Sequence, residues 1–210
     1  MTDPLLQSEQ DLRARPPDAI VIGGSAGGVD ALRALLPALP AGLGVPVLVV
    51  LHVAAETKTA WPVVLHATQL SVREAEDKDV VEAATIYLAP PNYHLLVGAG
   101  GRLSLSVDAR VQFARPSIDV LFESAAHAYA DRLLGIVLSG ANADGAAGLA
   151  QIARAGGHTW VQSPETAAAR FMPESALGAV PNAHVLGLDD MARVFQSGAL
   201  RANAPRGNHD

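Results

Sequence analysis

The chain has 210 residues, half of them hydrophobic, with 15 Lys/Arg against 21 Asp/Glu and a formal net charge of −6. That length and composition fit one domain with a sizeable core, and the lack of a basic block argues against nucleic-acid binding. Cysteine is absent, which excludes disulfides, thiol catalysis and Cys-based zinc sites and fits a reducing compartment.

Residues 1–18 are polar and end in Arg15-Pro16-Pro17. They read as a flexible lead-in with no secretory h-region. Ile20–Ile22 is the first expected strand, and Val29–Leu39 carries apolar residues at helical spacing. Val47–Leu51 is apolar throughout, as in a parallel strand covered on both faces. The longest apolar run, Val45–Val53, contains Pro46 and His52 and is too short to span a bilayer. A cytoplasmic protein without membrane insertion is therefore expected. Thr57–Leu70 reads as a helix.

Three short strands are expected next, at Ile86–Leu88, Leu95–Val97 and Leu103–Val107, separated by Pro90-Pro91-Asn92 and Gly98-Ala99-Gly100-Gly101. These spacings predict an antiparallel hairpin region. Ser117 is the candidate N-cap of a helix reaching Tyr129. Leu133–Leu138 is a third strongly apolar strand. Asp144–Ala155 reads as a helix ended by Gly156-Gly157. His158–Val161 is a further strand, Pro173–Leu177 and Asp189–Gln196 are late helices, and 199–210 is a flexible tail. Strand–helix alternation over 19–198 predicts an α/β fold, a doubly wound and mostly parallel sheet with helices on both faces.

Ligands of such sheets bind beyond the carboxyl ends of the strands. Ser25 follows the first strand, His52 the second, and Ser139-Gly140-Ala141-Asn142-Ala143-Asp144-Gly145 the third. Gly23-Gly24-Ser25-Ala26-Gly27 fits G-x-S-x-G, the nucleophile-elbow pattern. A hydroxyl needs a base, and the base needs a group that fixes its tautomer. Ser25, His52 and Asp144 are the candidates for those three roles. Each also has a plain structural reading: a small residue in a tight turn, a buried histidine at a strand end, a helix N-cap.

Phosphate binding fits less well. The second glycine position of a dinucleotide fingerprint holds Ser25, the second strand ends in His52 rather than an acid, and no P-loop Gly-Lys-Ser/Thr follows the first strand. No cofactor is expected, and no metal, because His66, His94, His127, His158, His184 and His209 fall in no ligand-like spacing.

These residues resemble the catalytic domain of the CheB-type chemotaxis receptor methylesterases. The likeness covers about 19–198 and rests on Ile22–Gly28, on Arg73–Asp77 with Tyr87–Pro90 and His94, on Arg115–Phe122, on Ser139–Gly148 and on Phe171-Met172-Pro173. It implies a serine hydrolase cleaving glutamate methyl esters on the cytoplasmic helices of chemoreceptors, releasing methanol, with a companion deamidation of receptor glutamine. It also implies Ser25 as nucleophile, His52 as base, Asp144 as acid, and backbone N–H groups near Ala26 and Ala141 as oxyanion donors. Here His52-Val53-Ala54 and Gly140-Ala141-Asn142 depart from the family's Met-Pro and Gly-Met-Gly patterns. The lead-in is too short for the family's receiver domain, so a stand-alone enzyme is expected, with any receiver supplied as a separate protein. The competing reading is a receptor-binding module of the same fold with weak chemistry.

Overall fold

The structure, a computed structural model, describes residues 3–52 and 68–200. The elements run α1 (Pro4–Ala14), β1 (Ala19–Gly24), α2 (Gly28–Leu35), β2 (Val47–Leu51), β3 (Ser71–Glu74), β4 (Thr85–Leu88), β5 (His94–Val97), β6 (Leu103–Ser106), α3 (Ile118–Tyr129), β7 (Leu133–Val137), α4 (Ala146–Arg154), β8 (His158–Gln162), α5 (Phe171–Ala179), β9 (His184–Leu186) and α6 (Leu188–Gln196). Seven strands form one sheet in the order β3-β4-β2-β1-β7-β8-β9. Every pairing in it is parallel. The doubly wound α/β sheet is thus the observed fold.

Alternation along the strands sends side chains to two separate cores. Ile20, Ile22, Val47, Val49, Leu134, Ile136 and Trp160 pack with Leu32 and Leu35 of α2 and Val194 and Phe195 of α6. Ala19, Val21, Leu48, Val50, Leu133, Val137 and Val161 pack with Leu121 and Phe122 of α3, Leu149 and Ile152 of α4, and Met172 of α5. Burial on both faces explains why β1, β2 and β7 read as unbroken apolar runs.

Three expectations change. Residues 4–14, expected to be a flexible lead-in, form helix α1, with the Asp3 carboxylate capping Leu5 N–H at 3.0 Å and Pro4 in the first turn. Asp-Pro is itself a helix-start signal, and α1 buries Leu12 and packs on β9 and α6. The second change concerns Ile86–Leu88, expected to join an antiparallel patch. It lies instead in β4, a parallel strand between β2 and β3, and the two-stranded antiparallel sheet is β5–β6. Third, the short strands β3 and β9 carry too few apolar residues to stand out in the sequence. The helix expected at 57–70 lies largely outside the described residues. Its described end, 68–70, is not helical.

Candidate active site

β1 lies between β2 and β7, so the chain's winding reverses beside it. Their carboxyl ends bring together Ser25, His52 and the loop 139–145. The ladders continue one residue past the strands: Ser25 N–H donates to Ser139 O at 2.9 Å and His52 N–H to Gly24 O at 3.0 Å. α2 begins three residues after Ser25, placing the positive end of a helix beside the hydroxyl. The turn needs Gly27, whose φ is +77°. Gly23 has a different purpose. A Cβ there would lie 2.3 Å from Ile118 Cγ2, so its absence lets the first turn of α3 press onto the end of β1.

That close approach positions Asp144, which is fully buried. Its Oδ1 accepts from Ser117 Oγ–H at 2.8 Å and Asp119 N–H at 2.9 Å, and its Oδ2 accepts from Ile118 N–H at 2.7 Å. The fourth partner is His52 Nε2 at 2.8 Å. Burial pushes the Asp144 carboxyl up, but the His52 hydrogen bond and the Asp119 and Ile118 amides outweigh it and hold it below its ordinary value. An ionised carboxylate only accepts, so His52 Nε2 carries the proton and Nδ1 keeps its lone pair. Asp144, expected as an N-cap of its own following helix, caps α3 instead.

Ser117, the N-cap of α3, is held in turn by His94. The buried His94 Nδ1 accepts from Ser117 N–H at 3.2 Å, while Nε2 sits 3.1 Å from Ala109 O. Asp119 mirrors Asp144: its Oδ1 accepts from Gly145 N–H at 2.9 Å and Gly148 N–H at 2.7 Å, at the start of α4. Its carboxyl is raised to about 6, first by burial and then by the nearby Asp144 charge, against the pull of those amides. Composition and spacing did not single out Ser117, Asp119 or His94 as supports of the site. The available signal was the cap pattern Pro116-Ser117-x-Asp119, which points at a helix start without saying what it holds.

Ser25, His52 and Asn142 line one cavity of about 270 Å³, walled on its other side by Arg110, Gln112, Phe113, Ala114, Arg115 and Pro116. The volume suits one extended side chain more than a cofactor. Asn142 Oδ1 accepts from Asp144 N–H at 3.2 Å, which turns its Nδ2 toward His52 Nδ1, also at 3.2 Å. The Asn142 amide therefore occupies the free nitrogen of the histidine. The Ala26 and Ala141 amides make no hydrogen bond among the described residues. Their loops are stitched together: Ser139 Oγ donates to Ala26 O at 2.7 Å and accepts from Ala169 N–H at 2.9 Å, and Gly140 N–H donates to Ala169 O.

Other histidines lie elsewhere. His184 starts β9, at the opposite end of the strands, with Nε2 3.0 Å from Asp11 Oδ2. His158 Nε2 meets Arg15 O at 2.8 Å, and exposed His127 contacts Glu123 O of its own helix. His66 and His209 fall outside the described residues. Among the described residues no group of three or more His, Cys, Asp or Glu converges as a metal-holding cluster, and no helix is long and apolar enough to cross a membrane.

The model of the CheB methylesterase family matches residues 20–195. The chain belongs to the CheB methylesterase family. A relative from Leptospira interrogans, provisionally named a protein-glutamate methylesterase/protein-glutamine glutaminase, is 45% identical over 85% of this chain and 93% of its own length. One from Symbiobacterium thermophilum, named a protein-glutamate methylesterase/protein-glutamine glutaminase, is 40% identical over 75% of this chain but 44% of itself. The crystal structure of the Thermotoga maritima CheB methylesterase catalytic domain superposes with a TM-score of 0.81 at 27% identity, covering 86% of this chain and 98% of that one. The family likeness thus spans the sheet and all three strand ends that carry Ser25, His52 and Asp144.

Proposed function

We propose that the chain hydrolyses γ-methyl esters of glutamate side chains on chemoreceptor-type signalling proteins, releasing methanol, and deamidates glutamine side chains at such sites. Ser25 is the nucleophile, His52 the general base and Asp144 the carboxylate that orients it. The observation that carries this reading is the His52–Asp144 hydrogen bond at 2.8 Å. It commits Nε2 to the carboxylate and leaves Nδ1 to take a proton at the cavity that Ser25 lines.

The steps follow from that assignment. Ser25 Oγ attacks the ester carbonyl as His52 Nδ1 accepts its proton, and Asp144 stabilises the imidazolium. The Ala26 and Ala141 amides donate to the developing oxyanion, each worth about 2.7–4 kcal/mol in such a role. Collapse expels methoxide, which takes the proton from Nδ1 and leaves as methanol. A water, deprotonated by Nδ1, then cleaves the acyl-enzyme and returns the Ser25 hydroxyl. The same course with an amide expels ammonia.

The names of the relatives and of the family support the ester and amide substrates, and the cavity's size supports a single side chain as the group admitted. The test is methanol release from a methylated receptor fragment, together with labelling by a fluorophosphonate probe. Both should vanish in Ser25→Ala. Tight receptor binding by a chain that neither labels nor releases methanol would replace the enzyme with a binding module.

A further inference from the structure

The loop between β6 and α3 holds charge and an aromatic ring at the mouth of the Ser25 cavity. Among the described residues the cavity lining includes Arg110 and Arg115 and no carboxylate, although the chain as a whole carries −6. Phe113 is 95% exposed, the most exposed large hydrophobic side chain of the described residues. Gln112 and Phe113 have φ of 48° and 65°, a left-handed conformation that bulky L residues rarely adopt and that persists only where the surroundings enforce it.

The surroundings here do enforce it. Val111 and Ala114 exchange two backbone hydrogen bonds at 3.1 and 2.9 Å. Arg115 Nη1 donates to Val107 O and Asp108 O at 2.7 and 2.9 Å, and Gln112 Nε2 donates to Asp119 Oδ2 at 3.1 Å. The ring of Phe113 is therefore held in solvent by a stitched loop. The loop's one carboxylate, Asp108, accepts from Ser106 Oγ–H at 2.6 Å and is not part of the cavity lining. Arg110 is exposed, and its described contact is a long one, Nη1 to Phe113 O at 3.3 Å. Among the described residues most of its donor fork has no partner.

We propose that this loop docks an acidic polypeptide segment bearing the scissile side chain, with Phe113 packing on its apolar surface and Arg110 pairing with a carboxylate beside the target residue. Aromatic residues and arginine dominate the energetics of such surfaces. A local positive patch on an acidic protein selects acidic partners over basic ones. The identity of the target side chain rests on the hydrolase reading above; the docking does not require turnover.

The experiment measures binding to the full chain carrying Ser25→Ala. Three fluorescent peptides, each with one glutamate methyl ester flanked by Glu, Gln or Lys, are followed by anisotropy at low and high salt. The Glu-flanked peptide should bind tightest, with an advantage that shrinks as salt screens it. Arg110→Glu should invert the order of the Glu- and Lys-flanked peptides, and Phe113→Ala should weaken all three by about fivefold or more. An unchanged order in Arg110→Glu overturns the proposal, as does an absence of binding by every peptide. Charge-ordered binding without methanol release by the unmutated chain would instead overturn the hydrolase reading and leave the docking surface standing.

Discussion

Asp144 and Asp119 each cap the helix that the other precedes or begins. Asp144 lies just before α4 but accepts the Ile118 and Asp119 amides of α3. Asp119 lies in the first turn of α3 but accepts the Gly145 and Gly148 amides of α4. The exchange locks two helix starts together, and each positive helix end meets a carboxylate. His52 is then oriented by a group whose position depends on both helices.

Asp144→Asn preserves the shape of the carboxylate but replaces an acceptor with an amide that must face a crowd of donors. The His52 tautomer loses its determinant. Methanol release should fall by about 10³–10⁴ in kcat, and urea unfolding should show a loss of about 1–3 kcal/mol from unsatisfied buried donors. Full activity in this variant would remove Asp144 from the mechanism.

Asn142→Gly tests the amide that occupies His52 Nδ1. A neutral hydrogen bond of this kind is worth about 0.5–1.5 kcal/mol, and Ser25 must compete with it. Labelling of Ser25 by a fluorophosphonate should speed up by roughly two- to tenfold. Slower labelling would mean that Asn142 assists the histidine.

The pH dependence of stability isolates Asp119. Its carboxyl is raised to about 6 in the folded chain from an ordinary 3.8. Between these values the folded state holds a proton that the unfolded state has released, so this group makes stability fall as pH rises from about 4 to 6. The cost is fully present above pH 6. Buried His158, held below its ordinary value by burial, acts oppositely by losing stability as pH falls below about 6.5. The informative quantity is thus the difference between Asp119→Asn and the unmutated chain. Urea titrations should show that difference shifting in favour of the variant from pH 4 to pH 7. A flat difference would mean that Asp119 titrates as an ordinary carboxylate.

Gly23→Ala places a methyl 2.3 Å from Ile118 Cγ2, and β1 or α3 must give way. A loss of about 1–3 kcal/mol is expected from overpacking, along with lower activity because the start of α3 holds Asp144. Ile118→Ala clears the space. The double variant should lose less than the sum of the two single ones, by about 0.5–3 kcal/mol of coupling. Strict additivity would place the cost of Gly23→Ala somewhere other than Ile118.

The candidate triad was legible because strand ends are legible. Ile20–Ile22, Val47–Leu51 and Leu133–Leu138 are apolar runs with no rival reading, and in a parallel sheet the residues after such runs share one edge. Helix α1 is not legible from composition because a polar segment with three prolines reads as unstructured, although Asp3-Pro4 is a sound helix start. Ile86–Leu88 reads as part of the hairpin region because so short a strand carries no mark of which neighbour it will join.

What the sequence determined by itself was the winding of the sheet, the position of Ser25, His52 and Asp144 on one edge, and the family. Only the tertiary structure decided which side chains serve them. Hydrophobic periodicity reports which face of an element is buried. It does not report which of several buried polar groups meet, because those meetings join residues about 25 to 90 positions apart through helix ends and loops. The Asp144–Asp119 exchange and the Asn142 contact with His52 are both of that kind.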